Sequence, residues 1–235
     1  MVKGMILCAG KGTRLMPLTE KCPKPMVKVL NKPLIDYNIE LFRKYNILNI
    51  AINLHYYADV IVNYLGDGTK KGVNIVYSIE NQILGTAGAI KKLEEFFNNT
   101  FVLIYGDVLS KTNIDLLLSF HKSKGAIATI GLYEVGNPTA CGIVECDDND
   151  RVVRFIEKPI KEEVFTNVAN AGIYALEPEV MKFIPENKYF DFGKDLFPLL
   201  LKNNIAIYGY LIKEYLIDIG NIEKLKRAED EYGRL

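Results

Sequence analysis

The residues of this 235-residue chain that could do chemistry are cations and carboxylates set around glycines. The string Ala9-Gly10-Lys11-Gly12-Thr13-Arg14-Leu15-Met16-Pro17-Leu18-Thr19 follows the first apolar run, and Pro23-Lys24-Pro25-Met26 comes soon after. Glycines let a backbone approach a ligand with its N–H groups turned inward, which is how loops at the carboxyl end of a parallel strand hold phosphates. The string is not a P-loop, because that motif runs straight into a helix and Pro17, Pro23 and Pro25 forbid a regular one here. Nor does it read G-x-G-x-x-G. A long, proline-stiffened loop with Arg14 and Lys24 suits a triphosphate: a guanidinium forks two phosphate oxygens, and a lysine supplies a compact charge.

Two carboxylates stand at the ends of apolar runs. Phe101-Val102-Leu103-Ile104-Tyr105-Gly106 ends in Asp107, and Leu216-Ile217 precedes Asp218 and Ile219-Gly220. Magnesium bound with a nucleotide takes one or two carboxylates plus phosphate oxygens and waters, so two aspartates far apart in sequence suffice. By residue type alone, an Asp after a strand is more often a turn or helix-cap residue than a metal ligand. His55 and His121 have no partners at ligand spacing and read as structural or surface residues. Asp147 to Asp150 lacks the glycine and terminal Glu of an EF-hand loop and reads as a hairpin turn. Lys91-Lys92 with Glu94-Glu95 reads as a solvated helix face.

These groups need a scaffold, and its pattern is legible. Short apolar runs alternate with amphipathic stretches, which predicts βαβ units and a largely parallel sheet. The runs are Met5 to Ala9, Ile47 to Asn53, Val73 to Ser78 and Phe101 to Tyr105, each apolar enough to be covered on both faces. Pro33 opens a helix with Leu34, Ile39, Leu41, Phe42 and Tyr45 on one broad face. Further helices are expected over Ala58 to Leu65, Thr86 to Phe97 and Asn113 to Lys124. After Gly125 the pattern turns strand-rich: Ile127 to Tyr133, Gly142 to Cys146 and Arg151 to Ile156, the last two joined as a hairpin. Strands over Asn170 to Leu176 and Ile205 to Tyr210 and a helix from Asn221 complete an α/β chain: a Rossmann-like, doubly wound, mostly parallel central sheet with an antiparallel insertion.

Composition narrows the function classes. Lys plus Arg (29) equals Asp plus Glu (29), so no global field draws the chain to nucleic acid or to an anionic membrane, and a phosphate ligand must be held by a local site. With 49% hydrophobic residues the chain can bury a substantial core. One domain over 1–235 is expected. Cys8, Cys22, Cys141 and Cys146 have no C-x-x-C spacing and read as free thiols, and no run of eighteen apolar residues occurs, so a cytoplasmic protein is expected.

Gly10-Lys11-Gly12-Thr13-Arg14-Leu15 with Pro17-Leu18-Thr19 and Pro23-Lys24-Pro25 resembles the signature of the sugar-1-phosphate nucleotidyltransferase family. The resemblance runs from Gly4 to about Ala228, the catalytic domain; the C-terminal hexapeptide-repeat β-helix of longer relatives is expected to be absent. It implies that the loop wraps the nucleotide through Leu7, Ala9, Gly10, Lys11, Gly12, Thr13 and Arg14, with Arg14, Lys24 and Asp107 as catalytic groups. It implies Mg²⁺ on Asp107 and Asp218. Phe155-Ile156-Glu157-Lys158-Pro159 and Asn170-Ala171-Gly172 are similar to the family's sugar-phosphate segments, which assigns that role to Gly142, Glu157, Lys158, Asn170 and Gly172. Gln82-Ile83-Leu84-Gly85-Thr86-Ala87-Gly88 reads as a loop entering a helix with Thr86 as its N-cap. It looks like the L-G-T-A-G segment of the mannose-1-phosphate guanylyltransferase branch, which adds Gln82, Gly85 and Thr86 to the nucleotide side.

The implied reaction joins a nucleoside triphosphate, GTP by that segment, to a sugar 1-phosphate, mannose 1-phosphate by the same segment. Alternatives within the family are thymidylyl, uridylyl or cytidylyl transfer to glucose 1-phosphate and guanylyl transfer to a heptose 1-phosphate. The implied partners are those small molecules, with no nucleic acid and no membrane; a homo-oligomer is compatible with the sequence. A glycosyltransferase would commonly place D-x-D where this chain has Asp107-Val108-Leu109. A catalytically silent nucleotide-sugar sensor would have no need of intact Arg14, Lys24, Asp107 and Asp218.

Overall fold

The computed structural model of the chain describes residues 1–234. In chain order the elements are β1 (Lys3–Leu7), β2 (Lys28–Val29), β3 (Lys32–Pro33), α1 (Leu34–Lys44), β4 (Asn49–Leu54), α2 (Ala58–Leu65), β5 (Asn74–Ile79), α3 (Gly85–Lys91) and β6 (Phe101–Tyr105). They continue with β7 (Val108–Ser110), α4 (Ile114–Lys124), β8 (Ala128–Glu134), β9 (Gly142–Cys146), β10 (Val152–Glu157), β11 (Val168–Leu176), α5 (Phe197–Lys202), β12 (Tyr208–Leu211), β13 (Leu216–Asp218) and α6 (Ile222–Tyr232). The residues fall into two compact units. Among the described residues one comprises 1–83, 104–112 and 214–234, the other Leu84–Leu103 and Asn113–Lys213.

In the first unit β4 lies parallel to both β1 and β5, with Leu7 opposite Asn53 and Asn53 opposite Ser78. The apolar runs predicted these strands because only a strand covered on both faces tolerates an unbroken apolar string. β5 departs from that expectation: Val76 and Ile79 are exposed, so this strand is covered on one face only along part of its length. The short pair β7 and β13 runs antiparallel, Asp218 opposite Val108. α6 starts where expected, with Asn221 Oδ1 accepting the Lys224 N–H at 2.8 Å as its N-cap.

In the second unit β8, β9, β10 and β11 are joined antiparallel, and β12 lies parallel to β8. β9 and β10 form the expected hairpin: the Asp147 N–H donates to the Arg151 carbonyl and the Asp150 N–H to that of Asp147, and Asp147 Oδ1 accepts from Asn149 and Arg151. α3 is shorter than the apolar spacing suggests, ending at Lys91, with tight turns continuing to Phe96. The fold class is therefore the expected one, α/β with a mixed, mostly parallel sheet and added antiparallel strands.

His121 is structural and deeply buried rather than a surface residue. Its ring nitrogens reach Thr129 Oγ1 at 2.8 Å and Glu177 Oε1 at 3.2 Å, and Thr100 donates to that same carboxylate oxygen at 2.6 Å. Burial pushes its pKa below the ordinary value, and Glu177 offsets this only in part. The unfolded chain then binds a proton that the folded protein resists. Stability from this site is full above the unfolded-state value of about 6.5 and is lost as pH falls through it toward the lower folded value. Denaturant unfolding at about pH 7.5 and 5.5 should show a larger loss for the wild type than for His121→Gln; an equal loss would show that His121 does not contribute.

Candidate functional site

The loop after β1 is anchored by its apolar residue. Leu15 is fully buried with Val27, Leu34, Leu109, Ile217 and Ile219 in one cluster. Burying a Leu or Ile side chain is worth about 1.5–3 kcal/mol, so this cluster fastens the loop to β7 and β13. The neighbours of the anchors are the residues of interest: Arg14 precedes Leu15, Asp107 precedes β7, and Asp218 stands between Ile217 and Ile219. Gly12 adopts a left-handed φ of 67°, and a β-carbon there would meet the Lys24 stem at 3.0 Å and Thr19 Cγ2 at 3.1 Å. The Thr19 hydroxyl closes the loop by donating to the Gly12 carbonyl at 2.7 Å.

Lys24 is ion-paired with Asp107. The Ile219 N–H donates to the Asp107 carbonyl at 2.8 Å, so the two aspartates sit at adjoining positions of paired segments. A β-carbon on Gly220 would lie 3.3 Å from Asp218 Oδ2 and 3.4 Å from each terminal nitrogen of Arg14, which places carboxylate and guanidinium around the same glycine. Burial raises the Asp218 pKa and the neighbouring Asp107 raises it further, while Lys24 and Lys224 act the other way. Lys224 Nζ donates to Asp218 Oδ2 at 3.1 Å. Arg14, Lys24, Asp107 and Asp218 therefore converge. Gly10, Lys11 and Thr13 are exposed on the loop, Lys11 with its ammonium 5.5 Å from the Tyr56 ring centre, whereas Leu7 and Ala9 lie further in. The Leu7 carbonyl accepts from Gly106, joining the start of the loop to the segment before Asp107. Gln82 is exposed in the same unit.

The two hard oxygen donors suit a divalent cation that completes its shell with phosphate and water. Among the described residues no group of three or more His, Cys, Asp or Glu side chains is placed to hold a metal by itself. The pair Asp107 and Asp218 fits an ion whose remaining ligands are waters, exchangeable for substrate oxygens.

In the second unit Thr86 is not the N-cap expected from its type. α3 begins at Gly85 with Leu84 before it, and the Thr86 hydroxyl instead donates to Asp191 Oδ2 at 2.8 Å and accepts the Phe192 N–H at 2.9 Å. The helix start is satisfied by a different segment, since the Phe190 carbonyl accepts from Ala87 and Gly88. Threonine competed for a longer-range partner, which spacing cannot reveal.

Gly142, Glu157, Lys158 and Asn170 lie at one end of β9, β10 and β11. Glu157 is opposite Gly142, and the Lys158 N–H donates to the Cys141 carbonyl at 3.0 Å. A β-carbon would come within 2.5 Å of Glu157 Oε2 at Gly142 and within 2.6 Å at Gly193, so the carboxylate occupies space that two glycines leave open. Burial raises its pKa, Lys158 and Lys194 lower it, and Asp191 adds to the rise. Lys158 is 58% exposed. Asn170 Oδ1 accepts the Gly172 N–H at 3.0 Å and its amide donates to Tyr174 Oη at 2.7 Å, within an irregular stretch of β11 where Gly172 has φ 68°. Asp191 is a further member of this region: its carboxylate caps Gly193 and Lys194 and holds Thr86. Its sequence signal is the Asp191-Phe192-Gly193 spacing, an acceptor two residues before a glycine N–H. Lys224 carries no comparable signal.

The glycine-bearing loop follows β1, a strand parallel to β4, and Asp107 and Asp218 stand beside it, so this α/β protein gathers its charged groups at the edge where such sheets carry ligands. The sequence model of the nucleotidyl transferase family matches residues 3–234. The chain belongs to that family. It is 39% identical to a UTP–glucose-1-phosphate uridylyltransferase of Synechocystis over 94% of its length and 61% of the relative's. It is 36% identical to a mannose-1-phosphate guanylyltransferase of Mycobacterium tuberculosis over 99% of its length and 65% of the relative's. The chain thus spans about three-fifths of the length of the curated relatives it matches. Among solved structures, HddC from Yersinia pseudotuberculosis complexed with GMP-PN is similar with a TM-score of 0.83 at 28% identity, covering 99% of this chain and 100% of that one. No described helix is long and apolar enough to cross a membrane.

Proposed function

We propose that the chain is a sugar-1-phosphate nucleotidyltransferase that joins GTP to mannose 1-phosphate, releasing pyrophosphate. The observation that carries this is the convergence of Arg14, Lys24, Asp107 and Asp218 beside the glycine-bearing loop. Support for the family reaction comes from the relatives' names, and support for guanylyl transfer from the L-G-T-A-G segment and the mycobacterial relative. Uridylyl transfer to glucose 1-phosphate is the second reading, favoured by the 39% identity to the Synechocystis relative. With four free cysteines the chain suits a reducing compartment, the cytoplasm in this proposal.

A phosphate oxygen of the sugar 1-phosphate attacks the α-phosphorus of the triphosphate. The new P–O bond forms as the bond between the α-phosphorus and its bridging oxygen breaks, and the electron pair leaves with pyrophosphate. The attacking oxygen is anionic near neutral pH, so no general base is needed. Arg14, Lys24 and the loop amides bind the triphosphate and neutralise the charge that gathers on the departing oxygens. Lys158 binds the sugar phosphate, and Glu157, Gly142, Asn170 and Gly172 orient the sugar. Asp107 and Asp218 hold a divalent ion, Mg²⁺ in this proposal, which when bound supplies further charge neutralisation on the phosphate oxygens.

Pyrophosphate release should be measured for each nucleoside triphosphate against mannose, glucose, N-acetylglucosamine and heptose 1-phosphates. The expected result is turnover with a sugar 1-phosphate and a maximum for GTP with mannose 1-phosphate. A maximum with UTP and glucose 1-phosphate would select the second reading. No release with any pair would defeat both in favour of a silent binding protein.

A further inference from the structure

Each of the two carboxylates is matched by a lysine, and only Lys24 belongs to the loop. The second, Lys224, sits in the first turn of α6, where the Asn221 cap fixes its backbone N–H. Its ammonium donates to Asp218 Oδ2 at 3.1 Å, and its side chain is 35% exposed. Asp107 and Asp218 are drawn together by the Ile219 to Asp107 backbone bond and by the apolar anchors Ile217 and Ile219. Two like charges at adjoining positions repel unless cations share the site. Lys24 faces the pair from the loop, Arg14 approaches Asp218 across Gly220, and Lys224 faces it from α6.

We propose that Lys224 is a counter-cation that competes with the divalent ion for Asp218 and, once displaced, pairs with the bound polyphosphate. A lysine suits such exchange: its ammonium is a compact point charge on a flexible stem, without the fixed fork of arginine. In the metal-free protein it offsets the repulsion between the carboxylates. When a divalent ion takes that carboxylate, the ammonium is repelled by the new charge, and an incoming polyphosphate offers it four or more anionic oxygens. Lys224 is thereby a positioning residue for the carboxylate and a binding residue for the leaving group. The proposal rests on Asp107 and Asp218 being the metal ligands.

The test is Mn²⁺ binding to nucleotide-free protein by electron paramagnetic resonance, in the wild type and in Lys224→Met, Lys224→Arg and Asp218→Asn. Lys224→Met should bind Mn²⁺ about tenfold more tightly, because a competing unit charge at contact distance is removed. Lys224→Arg should stay within about twofold of the wild type, since the charge is kept. With Mn²⁺ present, calorimetric titration with pyrophosphate should show several-fold weaker binding to Lys224→Met. Equal Mn²⁺ affinity in the wild type and Lys224→Met, weaker affinity in the variant, or binding by neither would overturn the proposal. If Asp218→Asn binds Mn²⁺ as the wild type does, it is the assignment of Asp218 as a ligand that fails.

Discussion

Asp107→Asn is expected to lower turnover by roughly 10²- to 10³-fold, the loss typical when one preorganised electrostatic group is removed from a reaction centre. The amide keeps the size and shape of the carboxylate, so packing in the anchor cluster around Leu109 is untouched. What changes is charge: Lys24 loses its ionic partner, and in the proposed role a hard anionic metal ligand becomes a neutral one. Arg14→Ala should fall in the same range for a complementary reason. Its guanidinium lies beside Gly220 and Asp218, and it is exposed, so truncation removes positive charge from the site without opening a cavity. The fold should persist in both, with unfolding midpoints close to the wild type. Near-normal turnover in both variants would defeat these roles.

Lys158→Ala is expected to raise KM for the sugar 1-phosphate by about 10- to 100-fold, the range of one charge-assisted contact of 1.5–3 kcal/mol. KM for the triphosphate should stay within about twofold, because in the proposed role the lysine binds only the sugar phosphate. Lys158 has φ 52°, a left-handed conformation uncommon for a residue with a side chain. Its backbone is held there by the bond to Cys141, while its side chain stands 58% exposed and 3.9 Å from Glu157. A solvated pair of this kind adds little to stability, so the variant should fold normally. An equal rise in both KM values, or in neither, would remove Lys158 from the sugar-phosphate site.

The scaffold was legible where a covered strand or a capped helix leaves a local imprint. β6 and β9 match their apolar runs at both ends, α2 spans the expected residues, and α4 and α6 begin after asparagine caps, Asn113 and Asn221. The short pair β7 and β13 was not legible, since three-residue strands carry too little period to register. That pair is what joins Asp107 to Asp218. Their convergence was anticipated from the family resemblance, not from spacing. Thr86 was misjudged because its partner, Asp191, lies more than a hundred residues away. Lys224 escaped notice for a similar reason: a lysine on a charged helix face looks solvated until the opposing carboxylate is located. His121 was legible as structural but not as buried, because Thr129, Thr100 and Glu177 come from separate segments.

In the proposed reaction the loop after β1 and the two distant aspartates hold one polyphosphate together with its divalent ion. This arrangement is tested most directly by crystals grown with Mn²⁺ and a non-reacting triphosphate analogue, using anomalous scattering to locate the metal. The expected result is a manganese peak bound by both Asp107 and Asp218, with phosphate oxygens on the same ion and Arg14 and Lys24 against the phosphates. A peak bound by neither aspartate, or a triphosphate seated away from Arg14 and Lys24, would contradict it.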